Sequence, residues 1–178
     1  MIKNFNPKTV VIGNYIWMAE NLALDDGKDG IFYNPENKEY YYTLKAANRI
    51  ARKLFGWRLP DPTIWNKACE LCNGERFTSF VRDKPSLYTY YGCNLETVLD
   101  LKDVGYYMRL IGFIQRDAYF WLNSSEDSLN AYRVLSVLSS RTVQGDLEPC
   151  DNGYSVRLVR LYHSDVEKQL NLEGNGII

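Results

Sequence analysis

The stretch VVIGNYIWMAENLA at 10–23 sets a carboxylate and an amide, Glu20 and Asn21, just past Trp17 and Met18. A carboxyl held against an indole loses solvation, which would raise its pKa toward the range of a general acid or base. No second carboxylate, histidine or nucleophile is tied to the pair by spacing, so catalysis is not expected there. The other reactive groups are Cys69 and Cys72, which form one C-x-x-C, with Cys93, Cys150 and the single histidine, His163, farther along. A zinc ribbon needs a second cysteine pair at similar spacing, and the chain has none. Only the fold could bring Cys93, Cys150 and His163 to the C-x-x-C. Buried, reduced thiols are the expectation, with no metal or other cofactor. His163 has no Ser or Cys motif beside it and reads as a surface residue. The DDGKDG run at 25–30 lacks the closing acidic ligand of a calcium loop and reads as a solvated turn.

The totals bound the rest. A chain of 178 residues with 46% hydrophobic content suffices for one domain with a real core. Lys and Arg number 21 against 22 Asp and Glu, without a basic stripe, so no nucleic-acid partner is expected. No apolar run approaches the roughly 18 residues of a membrane span, so no membrane insertion is expected. The first residues, MIKNFNPKTVVIG, carry no secretory h-region. The expectation is a chain that stays where it is made or leaves by assembly into a particle. The 14 tyrosines cluster as EYYY (39–42), YTYYG (88–92) and GYYM (105–108). Tyrosine serves half-buried strands and contact surfaces equally well.

These residues need elements to hold them. Residues 8–12 and 15–18 alternate around Gly13-Asn14, the pattern of a hairpin, and 24–38 reads as loop. TLKAANRIARKLF predicts a helix capped by Thr43 and ending at Gly56. Asp61 then caps a second, with Pro62 at its first position and Ile64, Trp65, Ala68, Cys69, Leu71 and Cys72 inward. Residues 73–104 are less regular, with a short helix expected within 95–102. Strands are expected at 106–113, 117–122, 130–138 and 153–161, with turns at 123–128 and 144–153. Hairpin, two helices and a strand-rich second half make an α+β order rather than βαβ alternation.

In this order, IGNYIWMAENLA (12–23), YTLKAANRIARKLFGWRLPDPTIWNKACEL (42–71), YFWLNSSEDSLNAYRVL (119–135) and NGYSVRLVR (152–160) resemble the Fibrobacter succinogenes major paralogous domain. That family is a branch of the C-type lectin-like fold, and its GWRLP block is similar to that of the formylglycine-generating enzymes. The resemblance implies two helices flanking a twisted antiparallel sheet, with the N- and C-terminal strands paired. It implies one domain over 1–162, an insertion at about 73–104, and a tail at 163–178 that could serve as a docking arm. Trp17, Glu20, Asn21, Trp57, Arg58, Leu59, Pro60, Trp65, Trp121 and Arg157 are the family-motif residues, with structural roles. Glu20 and Asn21 are expected to staple orphan backbone groups in the loop after the early strand. The four tryptophans are expected in the core, so that replacing Trp57 unfolds the domain, and Arg58, Arg157 and Arg160 in ion pairs.

The departures from the family pattern are informative. Relatives often pair a cysteine at the end of the first long helix with one in a closing SVRCVR; here Leu54 and Phe55, and Leu158 in SVRLVR, stand instead. Apolar packing is expected to replace that staple, in keeping with a reducing cytosol. Calcium-dependent sugar binding would need a Trp-Asn-Asp triplet beside LEPCDN (147–152), and FWLNSSED (120–127) has the wrong spacing. The formylglycine-generating chemistry needs a pair of C-terminal cysteines, and Cys150 stands alone there. The function expected is therefore a non-enzymatic binding module. Its recognition loops lie within 24–38, 83–94 and 123–128, carrying Tyr33, Tyr88, Tyr90, Tyr91, Asn123 and Asp127. Substituting Tyr88 or Tyr90 is expected to weaken binding without unfolding the domain. A phage virion protein, a homo-oligomer binding a neighbouring subunit or a host surface, is the first expectation. A bacterial cell-surface or secreted module binding a glycan or protein is the second.

Overall fold

The computed structural model describes residues 5–78, 88–91, 93–101, 104–123, 132–138 and 142–162. Asp127, His163 and the tail 163–178 lie outside the described residues. The fold is α+β, with two helices of more than one turn and small antiparallel sheets.

The first hairpin forms where alternation and Gly13 predict it. Strands β1 (Thr9–Ile12) and β2 (Tyr15–Met18) pair with Ile12 opposite Tyr15, and Gly13 takes φ 60°, a left-handed value that glycine adopts without strain. The last strand among the described residues, β12 (Val159–Leu161), adds to the other side of β2, with Val159 opposite Trp17. N-terminal and C-terminal strands are thus paired in a three-stranded sheet of order β1-β2-β12.

The 24–38 stretch is not all loop. Strands β3 (Ile31–Asn34) and β4 (Glu39–Tyr42) form a second hairpin, its turn tightened by the Glu36 N–H donating to Asn34 Oδ1 at 3.0 Å. Helix α1 (Leu44–Ala51) follows, its first turn capped by Thr43 Oγ1 accepting from the Ala46 N–H at 3.2 Å. It ends before the expected Gly56, and turns carry the chain on; of the two residues in the staple position, Leu54 is buried and Phe55 is 90% exposed. Helix α2 (Pro62–Leu71) starts at the expected Asp61 cap, whose Oδ1 accepts from the Ile64 N–H at 2.9 Å. Ile64, Trp65, Ala68, Cys69 and Cys72 face inward, whereas Leu71 is exposed.

The irregular 73–104 region supplies two strands and one helical turn: β5 (Glu75–Thr78), β6 (Tyr88–Tyr91) and α3 (Leu95–Val98). The expected strand at 106–113 is a hairpin, β7 (Tyr106–Met108) and β8 (Gly112–Ile114). Then come β9 (Ala118–Trp121), β10 (Tyr132–Leu138) and β11 (Thr142–Glu148). Strand β11 takes up residues expected as a turn, because its partner β10 pairs with it through Glu148. The largest sheet is antiparallel, in order β5-β6-β11-β10-β9.

One segment joins these pieces. Residues 152–159 are buried without interruption. Gly153 exchanges backbone hydrogen bonds with Tyr107, Tyr154 with Tyr42, and Val159 with Arg58. The Ser155 N–H donates to Tyr119, and the Val156 carbonyl accepts from Leu22. A Cβ on Gly153 would come within 2.8 Å of Phe32 and 3.1 Å of Tyr107 and Tyr41, so only glycine passes there without displacing a neighbour. On one side of this strap lies a cluster with Trp17, Trp65 and Phe120; on the other, a cluster with α1, Trp121 and Tyr154, and both Leu54 and Leu158 belong to the latter. Leu54 and Leu158, the two leucines at the expected staple positions, are both buried.

Candidate functional site

Glu20 is not an internal staple. The Ala19 N–H still bonds the Lys8 carbonyl at 2.8 Å, so hairpin pairing runs past β2 and sets Glu20 beside Lys8. Their ion pair, at 2.5 Å, is exposed on both sides, and such pairs contribute little. Asn21 is the staple, though to side chains: its Nδ2 donates to Glu39 at 3.0 Å and its Oδ1 accepts from Arg157 Nε at 2.7 Å.

Arg157 occupies the centre. The side chain is buried, and Nη1 donates to the Met18 and Leu99 carbonyls at 3.2 and 2.7 Å while Nη2 donates to the Asp100 carbonyl at 3.2 Å. Its guanidinium also lies 6.0 Å from the centre of the Phe120 ring. Burial pulls its pKa down to about 10, against the opposing pull of Glu39, Asp100 and Glu20, so it stays charged at neutral pH. The expected ion-pair role needs correction: carbonyls and one amide receive the guanidinium, and Glu39 reaches it through Asn21. Hydrogen bonds from a charged donor are stronger than neutral ones, which suits Arg157 to joining β2, the residues after α3 and the strap.

The other motif residues are mostly architectural. Trp17, Trp65 and Trp121 are fully buried; Trp17 meets Trp65 edge-on at 5.3 Å, and Trp121 meets Tyr154 at 4.6 Å. Trp57 is the exception: it is half-buried, with Phe5 at 6.0 Å and the Arg160 guanidinium 5.5 Å from its ring. Arg58 is exposed and rests against Tyr15, while Leu59 and Pro60 are buried. The DDGKDG turn is less solvated than expected, because Asp26 accepts two bonds from Arg49, at 2.9 and 3.0 Å, and one from Lys53 at 2.6 Å. These cations hold the Asp26 carboxyl well below the usual carboxylate range.

Of the four cysteines, Cys69, Cys72 and Cys93 share one buried cluster, while Cys150 packs against the other. Among the described residues no group of three or more His, Cys, Asp or Glu is arranged to hold a metal ion.

Those expected binding residues that are described lie on separate elements. Tyr88, Tyr90 and Tyr91 lie on β6, between β5 and β11, rather than in a loop. Tyr33 sits on β3 and packs against Tyr40 at 4.8 Å, on the face of that hairpin opposite Phe32 and Tyr41. Asn123 is exposed, with its N–H bonded to the Pro60 carbonyl at 2.9 Å.

What the fold assembles instead is a cleft of about 600 Å³ between the β3–β4 turn and the strand end of β8, lined by Asn34, Pro35, Glu36 and 113–116. Its walls are fixed by Asn37 Nδ2 donating to the Val104 carbonyl at 2.7 Å and by Gln115 donating to Glu36. The Tyr41 hydroxyl also donates to the Val104 carbonyl, and burial pushes the Tyr41 pKa up to about 12. Behind the cleft Phe32 stacks on Tyr107 at 3.8 Å, and Phe113 contacts Tyr107 and Tyr41 at 5.2 and 5.8 Å. At the other end of β8, the β7–β8 turn holds Leu110 and Ile111 in solvent, 94% and 68% exposed. Sequence reasoning missed this surface; the signal was RLIG, apolar residues ahead of Gly112 at a turn-compatible position. No family model, curated protein or solved structure matches the chain.

Proposed function

We propose that this chain is a non-enzymatic interaction module of C-type lectin-like architecture. The pairing of the first hairpin with the last strand and the two capped helices support that architecture. The binding role is carried by one observation: two adjacent apolar side chains, Leu110 and Ile111, stand exposed at the β7–β8 turn. Large apolar side chains set side by side in solvent have the composition of a contact site. The partner is a protein, either a neighbouring subunit of a virion surface, with this chain in a phage capsid or fibre and self-associating, or a receptor on a host. The virion part extends the resemblance, since phage tropism proteins use the lectin-like fold.

A second reading, a bacterial surface or secreted domain that binds glycans, is favoured by the cleft lining. Asn34, Glu36, Gln115 and Arg116 set planar polar groups beside the Phe113 ring, a combination suited to sugar hydroxyls and sugar faces. Light scattering over a range of concentrations separates the two. The first reading gives an oligomer that Leu110→Asp with Ile111→Asp converts to monomer. A monomer whose glycan-array binding is lost in Phe113→Ala would replace it with the second.

A further inference from the structure

We propose that Cys69 and Cys93 are a disulfide-forming pair that fastens the β5–β6 excursion to helix α2 when the protein meets an oxidising medium. The two residues are 24 apart in sequence, and both side chains are fully buried in the same apolar cluster. The Cys93 sulfur lies 3.4 Å from the Cys69 carbonyl oxygen, to which it donates. One backbone contact ties the segments together at that point, and a second closes the helix end beside it. The Asn94 N–H donates to the Cys72 carbonyl at 2.8 Å, and the Gly74 N–H donates to the Cys69 carbonyl at 2.8 Å. Gly74 lies so close that a Cβ there would sit 3.1 Å from the Cys93 Cβ and 2.8 Å from the Cys69 oxygen. A disulfide demands close approach of both backbones, and here the Asn94–Cys72 hydrogen bond brings the two segments together before any covalent bond exists.

The partner of Cys69 is Cys93 rather than Cys72. Cys93 Sγ already rests on the Cys69 carbonyl, and the neighbouring Cys69 thiol and Leu95 N–H lower the Cys93 pKa while burial raises that of Cys69. Cys93 is thus the sulfur that attacks, since the thiolate is the nucleophile. When the segment opens enough to admit a small-molecule disulfide as oxidant, the Cys93 thiolate breaks its S–S bond, forms a mixed disulfide and releases one thiolate. Cys69 then attacks the Cys93 sulfur after passing its proton to solvent, and the second small thiolate leaves. The protein loses two hydrogens, and the small disulfide becomes two thiols. The bond closes the stretch carrying β5 and β6, so it constrains two strands of the five-stranded sheet.

The test treats the reduced full-length chain with oxidised glutathione, alkylates what remains free, and maps disulfides by mass spectrometry. The expected result is a cross-linked peptide joining Cys69 to Cys93, with Cys72 alkylated and a higher thermal midpoint than the reduced chain. Cys69→Ala and Cys93→Ser should each abolish the cross-link and the gain in midpoint, and either variant suffices if the other does not fold. A Cys69–Cys72 cross-link, or only glutathione adducts with no internal disulfide, would overturn the assignment.

Discussion

The strap at 152–159 and the turn of the β7–β8 hairpin touch at Tyr107 and Gly153, yet they obey opposite rules. The strap buries Asn152, Ser155 and Arg157 among apolar residues, and two of the three have side-chain partners. Ser155 Oγ has none, an exception that the nearby packing does not explain. The hairpin turn does the reverse and leaves Leu110 and Ile111 in water, held at its base by the Gly153 exchange, the Arg109 N–H donating to Asn152 Oδ1 and an exposed Arg109–Asp151 pair at 2.7 Å. Polar groups inside fix one arrangement of segments; apolar groups outside are available to a partner.

Substitutions should separate the two regions sharply. Arg157→Ala strands the Met18, Leu99 and Asp100 carbonyls and the Asn21 amide; at about 1–3 kcal/mol for each buried acceptor left unpaired, denaturant unfolding should show a loss of at least about 3 kcal/mol. Trp17→Ala should cost a similar amount, about 3–5 kcal/mol, as an emptied core site. Trp57→Ala, half-buried beneath Arg160, should cost about 1–2 kcal/mol, within the ordinary range for single mutations, and leave the domain folded. Equal losses at Trp17 and Trp57 would mean that the GWRLP block lies deeper than its exposure indicates.

The Asp26 clasp predicts an acid limb to stability. Its folded pKa is depressed below the ordinary 3.8 by Arg49 and Lys53, so the folded state binds fewer protons than the unfolded one. That contribution is present above the unfolded value and is lost as pH falls below it. Asp26→Asn should therefore lower stability at neutral pH and flatten the decline between pH about 5 and pH about 2. The smallest stability effect belongs to the turn: Leu110→Asp with Ile111→Asp should shift unfolding by no more than about 0.5 kcal/mol per site while abolishing association.

Helix starts were legible because their signals are local. Thr43, Asp61 and Pro62 mark α1 and α2 without reference to anything distant. Strand β3 was hidden because its four residues lie between DDGKDG and NPENK, whose turn chemistry dominates any short window. The strap misleads in another way. In NGYSVRLVR, alternation would send Ser155 and Arg157 to solvent, but both faces of this segment are covered, so period-two patterning carries no information about burial. The approach of Cys93 to Cys69 depends on backbone contacts between segments far apart in sequence, which spacing cannot reveal. The cleft is of the same kind, formed by two turns 79 residues apart that meet where Gln115 bonds Glu36. The exposed Leu110-Ile111 turn was overlooked because RLIG extended an apparent strand.

Native-state hydrogen exchange tests the division between strap and turn most directly. The amides of Gly153, Tyr154, Ser155 and Val159, all bonded to carbonyls of other segments, should exchange only through global unfolding, whereas that of Ile111, bonded within its own turn at 3.1 Å, should exchange orders of magnitude faster. Strap amides that exchange as fast as Ile111 would contradict the account, because the segment could not then be what holds the fold together.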